Sequence, residues 1–214
     1  MAQRPVPFVP ALGYAVLTPL YDWAVRLGTP EQRIRSWLRN QVGPASLLDF
    51  GCGTGAFLSL FPTEQAEGID ADPHMVGVCR KKHLRVHLAQ TTTLPFPDGH
   101  FSAVTSTWVF QHFGEEEARH YFREVRRVLA ADGCFWLGDW GPPLTPAQRL
   151  MTRVTRAVDR TQNGFGPAGL WPGWLKESGF AEVTVAWIQP TLLGTFYAWR
   201  CLPEAQKDMI GAGS

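Results

Sequence analysis

A chain of 214 residues suits one domain with a small appendage, and its 45% hydrophobic content is enough for a sizeable core. A formal net charge of +1 argues against the strongly basic surface by which whole domains hold nucleic acid, so no nucleic-acid partner is expected. Cys52, Cys79, Cys134 and Cys201 form no CxxC pair, which argues against a zinc ribbon or a dithiol redox motif; no metal site is expected, and the thiols read as reduced ones in a cytoplasmic protein.

The opening "MAQRPVPFVP" carries three prolines and lacks the continuous apolar region of a signal peptide. Tyr14–Leu27 and Glu31–Asn40 read as helices, with Thr29 as N-cap and Pro30 as first residue of the second. "ASLLDF" then reads as a buried strand, Thr54–Phe61 as a short helix, and "AEGID" as the end of a second strand at Asp70. "DPHMVGVCRKK" opens a helix with Asp72 as N-cap and Pro73 at the first position, and its basic end suits the helix dipole. "LRVHLA" is a third strand, "LPFPDGH" a turn-rich loop and "FSAVTST" a fourth strand.

"GEEEARHYFREVRRVLAADG" predicts a helix that ends just before Gly133. It has three glutamates in its first turn, arginines near its end, and an apolar stripe of Tyr121, Val125, Val128 and Leu129. "CFWLGD" is a fifth strand. The segment Trp140–Leu170 interrupts the pattern, and a helix around Trp174–Ser178 follows. Val183–Trp199 is free of charge but broken at Gln189–Pro190, so it reads as two strands and a turn rather than a membrane span. The tail "GAGS" is expected to fray.

Strands alternating with helices predict an α/β protein with a doubly wound, mostly parallel sheet of seven strands. Right-handed crossovers put the loops that follow the strands on one edge, where ligands bind in such folds. The expected organisation is one domain: a helical cover over residues 1–43, a core over 44–140, an insertion or lid over 141–170, and a helix with a strand pair over 171–214.

Between the first strand and its helix lies "LLDFGCGTG", with Gly51, Gly53 and Gly55 at alternate positions. Glycines there let backbone turn sharply and approach a ligand closely. Nineteen residues after Gly51 comes Asp70, at a distance where an acid can take both ribose hydroxyls of a nucleoside. No lysine follows the glycines, so this is not a P-loop. The GxGxG spacing differs from the GxGxxG of dinucleotide sites, and Asp49, two residues before Gly51, would repel a pyrophosphate but help hold an ammonium group. A ribose, an amine and no phosphate fit S-adenosylmethionine (SAM), and disfavour an NAD-dependent dehydrogenase.

The ordered motifs "LLDFGCGTG", "GIDADPHMV", "LPFPDGHFSAV" and "EVRRVLAADGCFWLGDW" resemble the class I SAM-dependent methyltransferases of the small type 11 kind, densely from Ala45 to Trp140. "FVPALGYAVLTPLYDWAVRL" also resembles the leading helix of some bacterial members. The resemblance implies a Rossmann-like methyltransferase fold, SAM as cofactor and S-adenosylhomocysteine (SAH) as product. It implies that Asp49 and the backbone of Gly51, Cys52, Gly53 and Gly55 hold the methionine part, that Asp70 takes the ribose, and that Ala71 and Met75 flank the adenine. Gln90 stands where members often have an acid that reads the adenine amino group; its amide oxygen still accepts a hydrogen bond. Thr91 offers backbone beside it, Thr107 and Trp108 lie above the sulfonium, and Tyr14 and Tyr21 close over the ligand or simply pack their helix.

His112, in "WVFQHF", is the candidate general base, with a structural histidine as the alternative. Methyl transfer to a ready nucleophile needs little acid–base help, so no such base is required. Trp108, His112, Trp140 and Trp171 are the candidate wall of the methyl-acceptor pocket, with core packing as the alternative for the tryptophans. Arg149, Arg153, Arg156 and Arg160 fall at helical spacing, which suits a solvated helix face or weak contact with an anionic membrane. The expected activity is methyl transfer to a small apolar or aromatic metabolite. A lipid or quinone acceptor at a membrane surface and a SAM-binding protein without turnover are the alternatives.

Overall fold

The structure, a computed structural model, describes residues 31–146, 148–149, 169–191 and 194–204. Seven strands form one sheet: β1 (Leu47–Phe50), β2 (Ala66–Asp70), β3 (Val86–Leu88), β4 (Phe101–Thr107), β5 (Leu129–Gly141), β6 (Phe180–Pro190) and β7 (Thr195–Pro203). Their order is β3-β2-β1-β4-β5-β7-β6. The first five pair in parallel, and β7 runs antiparallel between β5 and β6.

Side-chain alternation along the strands sends neighbouring residues to opposite faces. Leu48, Phe50, Val104, Phe135 and Leu137 join one core cluster, and Leu47, Ala103 and Trp136 join another. Helix α1 (Glu31–Val42) brings Leu38 and Val42, and α2 (Pro73–Lys81) brings Val76 and Cys79, to the second cluster. Helix α3 (Glu115–Val128) buries Tyr121, Phe122, Val125 and Val128 in the first. Helix α4 (Trp171–Glu177) adds Trp171, Trp174 and Leu175 there. The result is a doubly wound sheet with a helix pair on each face.

The chain winds outward from β1 through β2 to β3, then returns to place β4 on the other side of β1. That reversal makes the β1/β4 boundary a switch point, where the following loops part and leave a crevice. Register lines up Asp49 with Gly68 on one side and Thr105 on the other, so β1, β2 and β4 reach the same edge.

Two local expectations are corrected. Thr54–Phe61 is not an α-helix; only a 3₁₀ turn, Leu58–Leu60, forms, because the left-handed Gly55 (φ 73°) interrupts any earlier helical turn. The α3 helix ends at Val128 rather than at Gly133. Leu129 pairs with Phe101 instead and starts β5. Tertiary pairing overrides the helix propensity of "LAAD" there. Asp72 caps α2 as expected, its side chain accepting from the His74 amide. The expected helix Tyr14–Leu27, Thr29 and Pro30 lie outside the described residues, as do Arg153, Arg156, Arg160 and most of the 141–170 segment. Among the described residues, no helix is long and apolar enough to cross a membrane.

Candidate active site

The loop after β1 is shaped by its own backbone. The Gly51 and Cys52 amides both donate to the Ile69 carbonyl, at 2.8 and 3.1 Å, which binds the loop to the end of β2. Gly51 has φ 75° and Gly53 φ 54°, a left-handed region that side chains resist. A Cβ on Gly51 would lie 2.2 Å from Cγ2 of Val109, whereas one on Gly53 would meet nothing within 4 Å. Gly51 is therefore needed for close packing and Gly53 for an open surface.

Asp70 ends β2 and faces this loop. Its Oδ2 accepts from the Gly53 amide at 2.7 Å and its Oδ1 from the Asp72 amide at 2.9 Å. Each carboxylate oxygen has two lone pairs, so the carboxylate is fixed in direction and keeps acceptor capacity. A cavity of about 420 Å³ opens beside it, within the range of about 300–1,000 Å³ that holds small molecules. The end of β1 and its loop contribute Phe50, Gly51 and Gly53 to its wall, β2 and the turn after it contribute Ile69, Asp70, Ala71 and Asp72, and α2 contributes Met75. Ala89, Thr91 and Leu94 come from the segment after β3. Thr107, Trp108, Val109, His112 and Phe113 come from β4 and its following turn, and Glu117 and Tyr121 from α3.

Two buried carboxyls support this edge. Asp49 lies beneath the glycine loop, with Oδ1 accepting from the Thr105 hydroxyl at 2.8 Å. Burial, added to by the nearby Asp70 charge, pushes its pKa up to about 7 against the pull of the Thr105 hydroxyl and Arg35. Asp139, fully buried near the end of β5, accepts from its neighbour Trp140 at 2.8 Å and from the Gln111 amide at 3.1 Å. Burial pushes it, too, up to about 7, with the Trp140, Gln111 and Phe110 amides pulling down. Asp139 thereby holds the 3₁₀ turn Phe110–His112 that carries part of the wall.

Of the residues singled out in the sequence, Gly51, Gly53, Asp70, Ala71, Met75, Thr91, Thr107, Trp108 and His112 meet around the cavity. Asp49, Cys52 and Gly55 do not line it. Cys52 is buried, its thiol pushed well up by burial, and a Cβ on Gly55 would collide with Leu84 and Cys79. These three support the loop from behind. Gln90 is exposed and is not part of the wall.

Trp108 has a left-handed backbone (φ 59°) and its ring packs on Phe196 at 5.1 Å. Its buried indole N–H finds no partner among the described residues. Trp140 packs with Ile34, Phe196 and Ala198, and Trp171 is 1% exposed in the core against Trp199; neither lines the cavity. Trp171 starts the helix that covers the β5–β7 part of the sheet, so its ring serves the core. Tyr14 and Tyr21 lie outside the described residues.

Sequence reading missed Phe50, Ile69, Asp72, Ala89, Leu94, Val109, Phe113, Glu117 and Tyr121. For Glu117 a signal was present: it stands four residues before Tyr121, and so falls on the stripe by which α3 packs.

Residues 48–137 match the family described as methyltransferase domain. A demethylmenaquinone methyltransferase of Thermus thermophilus is 31% identical over 157 residues, which cover 66% of this chain and 70% of that protein. A probable tRNA methyltransferase 9B of Mus musculus is 32% identical over 109 residues, covering 50% of this chain. The chain spans only about a quarter of that protein's length, 24%. Among solved structures, a SAM-dependent methyltransferase of Thermotoga maritima, described as a possible histamine N-methyltransferase, matches with a TM-score of 0.67 at 15% identity, over 88% of this chain and 97% of that one.

Proposed function

The chain belongs to the class I SAM-dependent methyltransferases, and on that premise we propose that it transfers the methyl group of SAM to a small organic acceptor. The observation that carries this reading is Asp70, its carboxylate oriented by two amides at the wall of a cavity that has a glycine-rich loop on one side. A vicinal diol is matched by a carboxylate whose direction is fixed before binding. The open space at Gly53 admits a ligand against the main chain, and Met75, Leu94, Val109 and Phe113 offer apolar surface to a planar base.

When bound, SAM supplies an electrophilic methyl group on a sulfonium. The chain's own part is to hold. Asp70, Ala71, Met75 and Thr91 fix the nucleoside, and Gly51 and Gly53 let it approach the main chain. Asp49, Cys52 and Gly55 keep the loop in place from behind, and Thr107 and Trp108 border the reacting end. Alignment of two bound reactants can supply about 7–11 kcal/mol of the barrier, so His112 orients or deprotonates only where the acceptor needs it.

A small acceptor is favoured because the Thermus protein, named for a quinone substrate, is matched along most of its length. The tRNA methyltransferase is matched over its shared core alone, and the chain's charge is near neutral. The same relative favours a quinone-like ring as the second reading.

Calorimetry with SAM, followed by SAH release against a panel of quinols, aromatic amines, phenols and tRNA, tests the proposal. Binding of SAM with turnover of a small molecule is expected. No SAM binding would overturn the nucleoside site; turnover with tRNA alone would overturn the acceptor class.

A further inference from the structure

We propose that Glu117 selects adenine, its carboxylate accepting a hydrogen bond from the exocyclic amino group of the base. This rests on the reading of the cavity as a SAM site. Among the described residues, three acids line that cavity: Asp70, Asp72 and Glu117. Asp70 is oriented by the Gly53 and Asp72 amides at the end of β2, where it suits the ribose. Asp72 caps α2, accepting from His74 at 2.8 Å, and donates its own amide to Asp70, so it belongs to the ribose end of the wall. Glu117 belongs to another element, the first turn of α3, a helix tied to the Thr91–Leu94 segment of the same wall. Gln90, the sequence's candidate for the same contact, is exposed and off the wall.

Glu117 is held in place by its helix. One turn further on, His120 meets the Thr92 carbonyl at 2.9 Å. Beyond it Glu124 accepts from the Leu94 amide at 2.8 Å, and Arg127 donates to the Leu94 carbonyl at 2.9 Å. These ties fix α3 against the very segment, Thr91–Leu94, that forms the cavity wall beside Glu117. Partial burial raises the Glu117 pKa, while the Gly114 amide and His120 lower it.

The chemistry discriminates between purines. An ionised carboxylate only accepts. Adenine presents an amino donor at position 6, whereas hypoxanthine and guanine present an oxygen there, which a carboxylate repels. A hydrogen bond to a charged group corresponds to about tenfold to a hundredfold in affinity.

The test uses SAH and its 6-oxo analogue, S-inosylhomocysteine, titrated calorimetrically into the parent, Glu117→Gln and Glu117→Ala. The parent is expected to prefer SAH by about tenfold or more. Glu117→Ala should lose that preference, weakening SAH and relieving the repulsion of the 6-oxo analogue. Glu117→Gln should narrow it, since the amide offers both a donor and an acceptor, and the glutamine oxygen can keep the contact that Glu117 makes with the Gly114 amide. An undiminished preference in both variants would overturn the proposal. Failure of the parent to bind either thioether would instead remove the SAM site, and this proposal with it.

Discussion

The wall of the cavity made by Gly51–Asp72 is held by its own main-chain amides, closed on Ile69 and on the Asp70 carboxylate. The wall made by Trp108–Tyr121 and Thr91–Leu94 is tied by side chains that arrive from elsewhere. On the first, amides of Gly51, Cys52, Gly53 and Asp72 converge on Ile69 and Asp70. On the second, Asp139 from β5 grips the turn after β4, and His120, Glu124 and Arg127 from α3 grip the segment after β3. The difference teaches where each wall gives way. Backbone geometry fails all at once when a Cβ intrudes, whereas side-chain ties can be removed one by one.

The sharpest test of that contrast is a pair of glycine substitutions. Gly51→Ala combines a left-handed backbone with a Cβ 2.2 Å from Val109, and should cost about 2–5 kcal/mol. Gly53→Ala has the same backbone class but open space, and should cost about 1–2 kcal/mol while weakening SAM binding. Urea denaturation and calorimetry measure both; equal losses of stability would break the distinction.

On the other wall, Asp139→Ala strands the Gln111 and Trp140 amides. With each buried unpaired group costing about 1–3 kcal/mol, a loss of about 2–6 kcal/mol is expected. SAM affinity should fall with it, because the turn that loosens carries Val109 and His112. Unchanged SAM affinity in a protein destabilised to that extent would show that the turn does not depend on its tie.

Asp139→Asn sharpens the same point through pH. The unfolded carboxyl titrates near 3.8 and the folded one near 7, so between these values the folded chain holds a proton that the unfolded chain has released. Stability from this group is therefore fully present below about pH 4, falls as pH rises to about 7, and is level above. Asp49 acts with the same sign. Removing Asp139's titration should make the slope between pH 5 and 6 less negative by up to about 1.4 kcal/mol per pH unit. An identical slope in parent and variant, by urea denaturation, would count against a protonated Asp139.

The smallest effect is expected for His120→Leu, which removes one tie to Thr92 and about 0.5–1.5 kcal/mol. Hydrogen exchange should rise locally at Thr91–Leu94 with little change in β1. A rise spread over the whole sheet would mean that the wall is not an independent unit.

The same contrast explains what the sequence disclosed. The glycine loop, Asp70 and the Asp72 cap are written in contiguous residues, and their roles follow from local backbone. The second wall depends on pairs such as Gln111 with Asp139 or Leu94 with Glu124, 28 and 30 residues apart, which no local pattern announces. Glu117 looks like Glu115 and Glu116 until the packing face of α3 singles it out. The misplaced end of α3 has the same origin: "LAAD" has helical propensity, and only Phe101, 28 residues earlier, draws Leu129 into a strand. Trp171 reads equally as pocket wall or core in the sequence because aromatic content does not reveal on which side of a sheet a ring will lie.

The insertion of β7 between β5 and β6 also bears on biosynthesis. Interior strand β7 follows edge strand β6 in the chain, and Phe135 waits for Cys201 while Gly141 waits for Thr195. At about 5–20 residues per second of translation, the free edge of β5, with Trp136 and Leu137 on it, stays unpaired on the ribosome for roughly 3–12 s. Chains stalled after Pro190 should be digested by protease within β5, and chains stalled with β7 clear of the exit tunnel should resist. The nascent protein is thus exposed to mispairing and to chaperones at the strand that carries Asp139, until a segment some sixty residues downstream arrives to close the sheet.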